Sequence, residues 1–176
     1  MKKFYSAKFC STQKGINGMH HIFEVVSPKE KQAISREILE ALPEWFGIPE
    51  ARENYIAGSA DQLFFCARDC AHTGEKTLGF LCLKETGKAT VELAVMGVLK
   101  EFHRRGIGSA LVKAAREHAA QAGYSFLQVK TVQMGHYPEY DATNGFYLSL
   151  GFKEFEVFPT LWDEWNPCQI YVMSLK

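Results

Sequence analysis

The run VELAVMGVLKEFHRRGIGSALVKAAREHAA, from Val91 to Ala120, constrains this chain more than any other. An apolar strand passes through a short basic turn with two glycines and straight into an amphipathic helix. Gly106 and Gly108 let the backbone approach a ligand without a side chain in the way. The amides from Arg105 to Ser109 then point outward, and a helix opening here adds unpaired N–H groups and the positive end of its dipole. Arg104 and Arg105 supply full charges beside them, so the turn is built for an anion of the pyrophosphate kind. Its spacing is neither the G-x-G-x-x-G of a dinucleotide fold nor the G-x-x-x-x-G-K-[ST] of a P-loop. A plain strand-to-helix connection that uses glycines for its turn is the competing reading.

His103-Arg104-Arg105-Gly106-Ile107-Gly108 resembles the pyrophosphate loop, Q/R-x-x-G-x-G/A, of the GNAT superfamily of N-acetyltransferases. His103 departs from the usual Gln or Arg, at a position where the family's contacts are largely main-chain. A second run, ATNGFYLSLGF, resembles the family's other signature, with Asn144, Phe146, Tyr147, Gly151 and Phe152 at matching positions. Read physically, Phe146, Leu150 and Phe152 are core, Gly151 ends a helix, and Tyr147 is the polar ring, for which a satisfied core tyrosine is the plain alternative. The resemblance implies that the anion is the pyrophosphate of acetyl-coenzyme A, held by His103 through Ser109. It also implies a pantetheine arm beside Met96, Gly97 and Val98, and contacts to the cofactor from Asn144 and Tyr147.

The 176 residues, 47% hydrophobic, predict one domain over 1–176, with 1–18 as an extended arm or short strand. Twenty basic and twenty acidic side chains cancel, which argues against a nucleic-acid or anionic-membrane partner. Five cysteines scattered through apolar runs do not form a disulfide framework, and a reducing, cytoplasmic setting is expected. Cys66, Cys70 and His72 lack a second pair at zinc spacing, so no metal is expected. MKKFYSAKFC has no sustained apolar segment, which predicts neither a signal peptide nor a membrane span. A homodimer is left open.

HHIFEVVS at 20–27 reads as a strand, and Ser27-Pro28 opens a helix through Leu42 that Pro43 closes. PEWFGIPEARENYIAG reads as a loop and then a short helix from Pro49. Strands are predicted over 63–69 and 77–85, joined by a turn from His72 to Lys76, and again over 90–98, 126–132, 152–158 and 168–175. Helices are predicted from Ile107 to Ala122 and over 141–150. The expectation is an α/β fold of the GNAT-like acyl-CoA N-acyltransferase type. Its sheet is mixed and mostly antiparallel, with about six or seven strands flanked by about four helices.

Acetyl transfer to an amine needs a neutral amine, a polarised thioester carbonyl and a proton for the departing thiolate. A lysine-like amine has a pKa of about 10.4 and must lose a proton. Glu92 is the candidate base, directly or through water, placed by alternation on one strand face with Ala94 and Met96 and six residues before Val98, where histone acetyltransferases of the superfamily carry their glutamate. A solvent-facing acid is the alternative, with His136 or Tyr137 serving as base instead. Tyr147, protonated at neutral pH, is the candidate acid, and main-chain N–H groups near Val98 are candidates to polarise the carbonyl. Glu24, Trp45, Phe46, Tyr55, His136, Tyr137, Glu139 and Trp162 to Trp165 are candidate acceptor residues, since aromatics with acids suit a cationic amine. Those residues equally suit a hydrophobic plug with a solvated rim. A small-molecule or peptide amine is the expected acceptor. The alternatives are a non-amine acceptor or a coenzyme A-binding sensor without catalysis.

Overall fold

The computed structural model describes residues 10–15, 18–69 and 76–176, with the side chains of 10–19 left aside. Cys70, His72 and most of the turn before Lys76 lie outside the described residues, as does most of the predicted arm. In chain order the elements are β1 (Cys10–Gly15), β2 (Gly18–Glu24), α1 (Pro28–Glu40), α2 (Pro43–Phe46), α3 (Pro49–Ser59), β3 (Leu63–Asp69), β4 (Thr77–Glu85), β5 (Thr90–Val98), α4 (Ile107–Gln121), β6 (Phe126–Val132), α5 (Pro138–Ser149), β7 (Lys153–Asp163) and β8 (Asn166–Ser174). They form one sheet in the order β1-β2-β3-β4-β5-β6-β8-β7. Every neighbouring pair is antiparallel except β5 and β6.

Eight strands and five α-helices among the described residues exceed the expected numbers. β1 comes from the segment read as an extended arm or short strand, and α2 from the segment read as a loop. α2 is only four residues long, with Pro43 at its start presetting φ. α1 begins as predicted: Ser27 is its N-cap and its side chain accepts from the Glu30 N–H, with Pro28 in the first turn. α5 starts earlier than predicted because Tyr137 is extended and Pro138 opens the helix. Gly151, at φ 93°, supplies the left-handed residue after its end.

The sheet carries a core on each face. α4 lays Leu111, Ala114 and Ala115 against Leu81, Leu83, Leu93 and Leu127, and Tyr147 and Phe152 extend the same cluster. α1 lays Ile34, Ile38 and Leu39, with Leu42 just beyond its end, against Phe64, Phe80, Cys82 and Val95. Gly97 makes this second contact possible, since a Cβ there would lie 2.7 Å from Ile38 Cγ2.

A bulge in β5 changes which side chains share a face. Leu83 lies opposite Leu93 but Cys82 lies opposite Val95, so Ala94 is the additional residue. Leu93 therefore packs on the α4 side and Val95 on the α1 side. Met96 packs against the α4-side core, whereas Glu92 alternates with Val91 and Leu93 and faces the other way. The predicted common face of Glu92 and Met96 is broken by this one residue.

Candidate active site

Parallel pairing between β5 and β6 runs only from Thr90 and Phe126 to Leu93 and Val129. Both strands continue, to Val98 and Val132, without pairing to each other. A cavity of about 1290 Å³ opens in this splay. One end reaches Arg104, Gly106 and the start of α4, and the other is walled by α2, α3, α5 and the β7–β8 hairpin. The edge of β5 that faces the gap has no strand partner, which leaves main-chain groups for an extended ligand.

At the α4 end the backbone turns twice through the left-handed region, at Arg104 (φ 58°) and Gly106 (φ 81°). The first helical bond runs from the Ala110 N–H to the Gly106 carbonyl. The N–H groups of Ile107, Gly108 and Ser109 are left without an acceptor among the described residues. Gly106 carries no capping side chain, and the first turn holds no acid. These amides and Arg104 stand where the sequence predicts an anion cradle.

The residues around the cradle divide differently from the prediction. Gly106 is required by its dihedral, with open space where a Cβ would stand, but a Cβ on Gly108 would lie 3.1 Å from Phe146 Cζ. Gly108 thus serves the contact between α4 and α5. Ile107 is buried in the α4-side core and also lines the cavity. The His103 Nε2–H donates to the Val98 carbonyl at 2.7 Å, tying the loop to the end of β5 and fixing the tautomer. The Arg105 guanidinium stacks over Phe102 at 5.3 Å and does not line the cavity.

Tyr147 lines the cavity with its ring packed between Phe146 and Phe152, at centroid distances of 5.4 and 5.7 Å. Its hydroxyl makes no hydrogen bond among the described residues. Burial, reinforced by Tyr140 and Tyr55, pushes its pKa well above the ordinary phenol value, so it holds its proton at any physiological pH. Asn144 is not at the cavity. It is fully buried, its Nδ2 donates to the carbonyls of Val132 (2.9 Å) and Tyr140 (2.7 Å), and its Oδ1 accepts from the Tyr171 hydroxyl at 2.6 Å. The predicted cofactor contact is replaced by a clasp that ties α5 to β6 and β8.

Glu92 accepts from Lys130 Nζ at 2.6 Å and Gln128 Nε2 at 3.0 Å. It is not among the cavity residues, so a carboxylate already engaged by a cation stands where a base was predicted. Glu24, at the end of β2, also lies off the cavity, and burial raises its pKa despite the opposing charge of Lys31. His136 and Tyr137 precede α5 and face solvent, outside the cavity. Trp45, Phe46, Tyr55, Glu139, Trp162 and Asp163 do line it. Trp45 closes the wall: its Nε1 donates to Thr143 Oγ1 at 3.1 Å, and the Tyr140 hydroxyl donates to the Trp45 carbonyl at 2.9 Å. Phe46 and Tyr55 meet edge to face at 5.9 Å.

Arg52, Tyr140, Thr143 and Phe146 line the cavity without having been singled out for it. Tyr140, Thr143 and Tyr147 form one helical stripe, visible only once α5 starts at Pro138. Ile48, Arg52 and Tyr55 recur at the same spacing across the start of α3.

Solved acetyltransferases share this architecture. A GNAT-family protein from Desulfovibrio desulfuricans superposes with a TM-score of 0.74 at 17% identity, over 89% of this chain and 99% of that one. The ribosomal-protein-S18-alanine N-acetyltransferase of Escherichia coli superposes at 0.66 and 18%, over 90% and 95%. A GNAT family acetyltransferase from Elizabethkingia anophelis, solved with acetyl-CoA bound, superposes at 0.62 and 14%, over 97% and 99%. At these identities the likeness is one of fold, and no curated protein matches by sequence. The fold is thus that of an acetyltransferase. Residues 60–154, over half of the chain, match the acetyltransferase (GNAT) domain model, and the chain belongs to that family.

Proposed function

We propose that this enzyme transfers the acetyl group of acetyl-coenzyme A to a primary amine by direct attack on the thioester. The observation that carries the reading is one continuous cavity, from the unpaired amides at the start of α4, past the open edge of β5, to the Tyr147 hydroxyl. The cradle fits a pyrophosphate, with Ile107, Gly108 and Ser109 donating main-chain N–H groups and Arg104 adding charge. The unpaired edge of β5 suits the amide-bearing pantetheine arm, and the donor bound there supplies the activated acetyl group. Main-chain N–H groups near Val98 are placed to polarise the carbonyl.

As the amine nitrogen bonds to the carbonyl carbon, the C–S bond breaks and Tyr147 gives its proton to the thiolate. Burial keeps the phenol protonated, so its hydroxyl is present to donate as the sulfur takes on charge, and it regains its proton from water afterwards. The ammonium loses its proton to water in the open chamber rather than to Glu92, which Lys130 already engages. A coenzyme A-binding sensor would need the cradle but has no use for an unbonded hydroxyl at the reacting end.

The test is thiol release from acetyl-coenzyme A across a panel of amines, with Tyr147→Phe as control. Turnover on at least one amine, lost in Tyr147→Phe with coenzyme A binding intact, is expected. Tight binding with no turnover, unchanged by the substitution, would favour the sensor. Glu92→Gln should leave the acidic limb of the pH profile in place, and its loss would return Glu92 to the role of base.

A further inference from the structure

The acceptor end of the cavity contains a cation without an ion pair among the described residues. Arg52 lines it from α3, and the carboxylates of Glu53, Glu44, Glu92 and Asp163 are hydrogen-bonded to other groups. Glu53, next in the chain, receives both terminal nitrogens of Arg36, at 2.7 and 2.6 Å. Glu44 is paired with Lys100, and Glu92 with Lys130. Asp163 accepts from the N–H groups of Trp165 and Asn166 and from Asn166 Nδ2, which closes the β7–β8 turn. Arg52 makes one long hydrogen bond, from Nη1 to the Phe46 carbonyl at 3.5 Å, and its Nε is buried with no acceptor. Among the described residues no carboxylate lies within 4.0 Å of it.

A guanidinium nitrogen buried without an acceptor is costly unless a ligand completes it, and here that nitrogen is Arg52 Nε. The guanidinium's planar fork matches a carboxylate, which can take two donors at once. The walls beside it are aromatic, with Phe46, Tyr55 and Trp45 bounding space for an apolar stem. Glu139, the other lining acid at this end, has no hydrogen bond or ion pair on its carboxylate and offers attraction for an incoming ammonium.

We propose that the acceptor is a zwitterionic amine, an amino acid or a close relative, whose carboxylate pairs with Arg52 while its amino group is acetylated. This rests on the N-acetyltransferase reading above and narrows it from any primary amine to those that carry an acid.

The test compares each amino acid with its own amide and with the amine that lacks the carboxyl group, and adds aminoalkyl phosphates as a second kind of anion. Thiol release and Trp fluorescence on coenzyme A-loaded enzyme are read together, because Trp45 and Trp162 line the cavity and report binding without turnover. A preference for the carboxylate of about 10- to 100-fold in kcat/KM is expected, the range of one charge-assisted hydrogen bond. Arg52→Met should remove that preference and Arg52→Lys restore part of it, with coenzyme A affinity and melting temperature unchanged. Equal use of acids and amides, a preference that survives Arg52→Met, or stronger binding of the phosphates would overturn the carboxylate assignment alone. Failure of the wild-type protein to bind coenzyme A would instead overturn the reading on which it rests.

Discussion

The end of the cavity proposed for the anion is made by one unbroken run of chain, His103 to Ser109, whereas the end proposed for the acceptor is assembled from Trp45 on α2, Arg52 on α3, Tyr140 on α5 and Asp163 beside the last turn. The first needs only local chemistry: a left-handed glycine, a helix start and an arginine. The second exists only where distant elements meet, held by a Trp45 donor on Thr143 and a Tyr140 donor on the Trp45 carbonyl. A locally encoded site can be shared across a fold family, while an assembled one is free to change from one member to another. Binding of the donor and choice of the acceptor should therefore respond to mutation separately.

The sharpest way to break this separation is at Gly106. Gly106→Glu puts a side chain at φ 81° and a negative charge beside the cradle, costing about 1–2 kcal/mol of strain and several more of repulsion. Coenzyme A affinity measured by calorimetry should fall by more than about 100-fold. Survival of binding would sink the cradle. Tyr147→Phe is next, with a fall of about 10²–10⁴ in kcat and unchanged coenzyme A affinity. Because its hydroxyl has no partner among the described residues, the melting temperature should not move, and a large drop would mean the tyrosine is structural.

Asn144→Ala should destabilise the fold by about 3 kcal/mol or more in urea titration, since it strips partners from two buried carbonyls and the Tyr171 hydroxyl. Lost cofactor affinity at unchanged stability would restore it to the cofactor site. Trp45→Phe removes one donor and about 1 kcal/mol from the α2–α5 contact. The KM for acceptor should rise severalfold with coenzyme A affinity untouched; a matched change in both would show the two ends coupled.

The smallest effect is confined to alkaline solution. Burial, chiefly, pushes the Tyr140 phenol up to about 12 from an ordinary value of about 10. A group raised on folding contributes stability that is complete below its unfolded pKa. The melting temperature should therefore hold up to about pH 10 and decline toward pH 12. Tyr140→Phe should flatten part of that decline; an identical slope would show that Tyr140 is not the group responsible.

Reading the chain alone located strands at 63–69, 77–85, 90–98 and 126–132, because each is an apolar run bounded by turn residues. The glycine turn that opens α4 was legible for the same local reason. Ala94 was not. A bulge is a property of two strands in register, and no alternation of residues in one strand reveals that Glu92 faces the α1 side while Met96 faces α4. Gly97 and Gly108 look alike in sequence to Gly106, yet Ile38 and Phe146 across the fold explain them.

The amino-acid sequence by itself determined most of the order of strands and helices, the glycine turn that opens α4 and the place of Tyr147 on α5, since each depends on spacing within a few residues. Tertiary structure alone decided that Asn144 clasps three elements together, that Lys130 engages Glu92, and that Arg52 lines the cavity with no carboxylate paired to it among the described residues. Charge pairing is settled by which side chains distant segments bring within a few ångströms, and that distance is written nowhere in the order of residues.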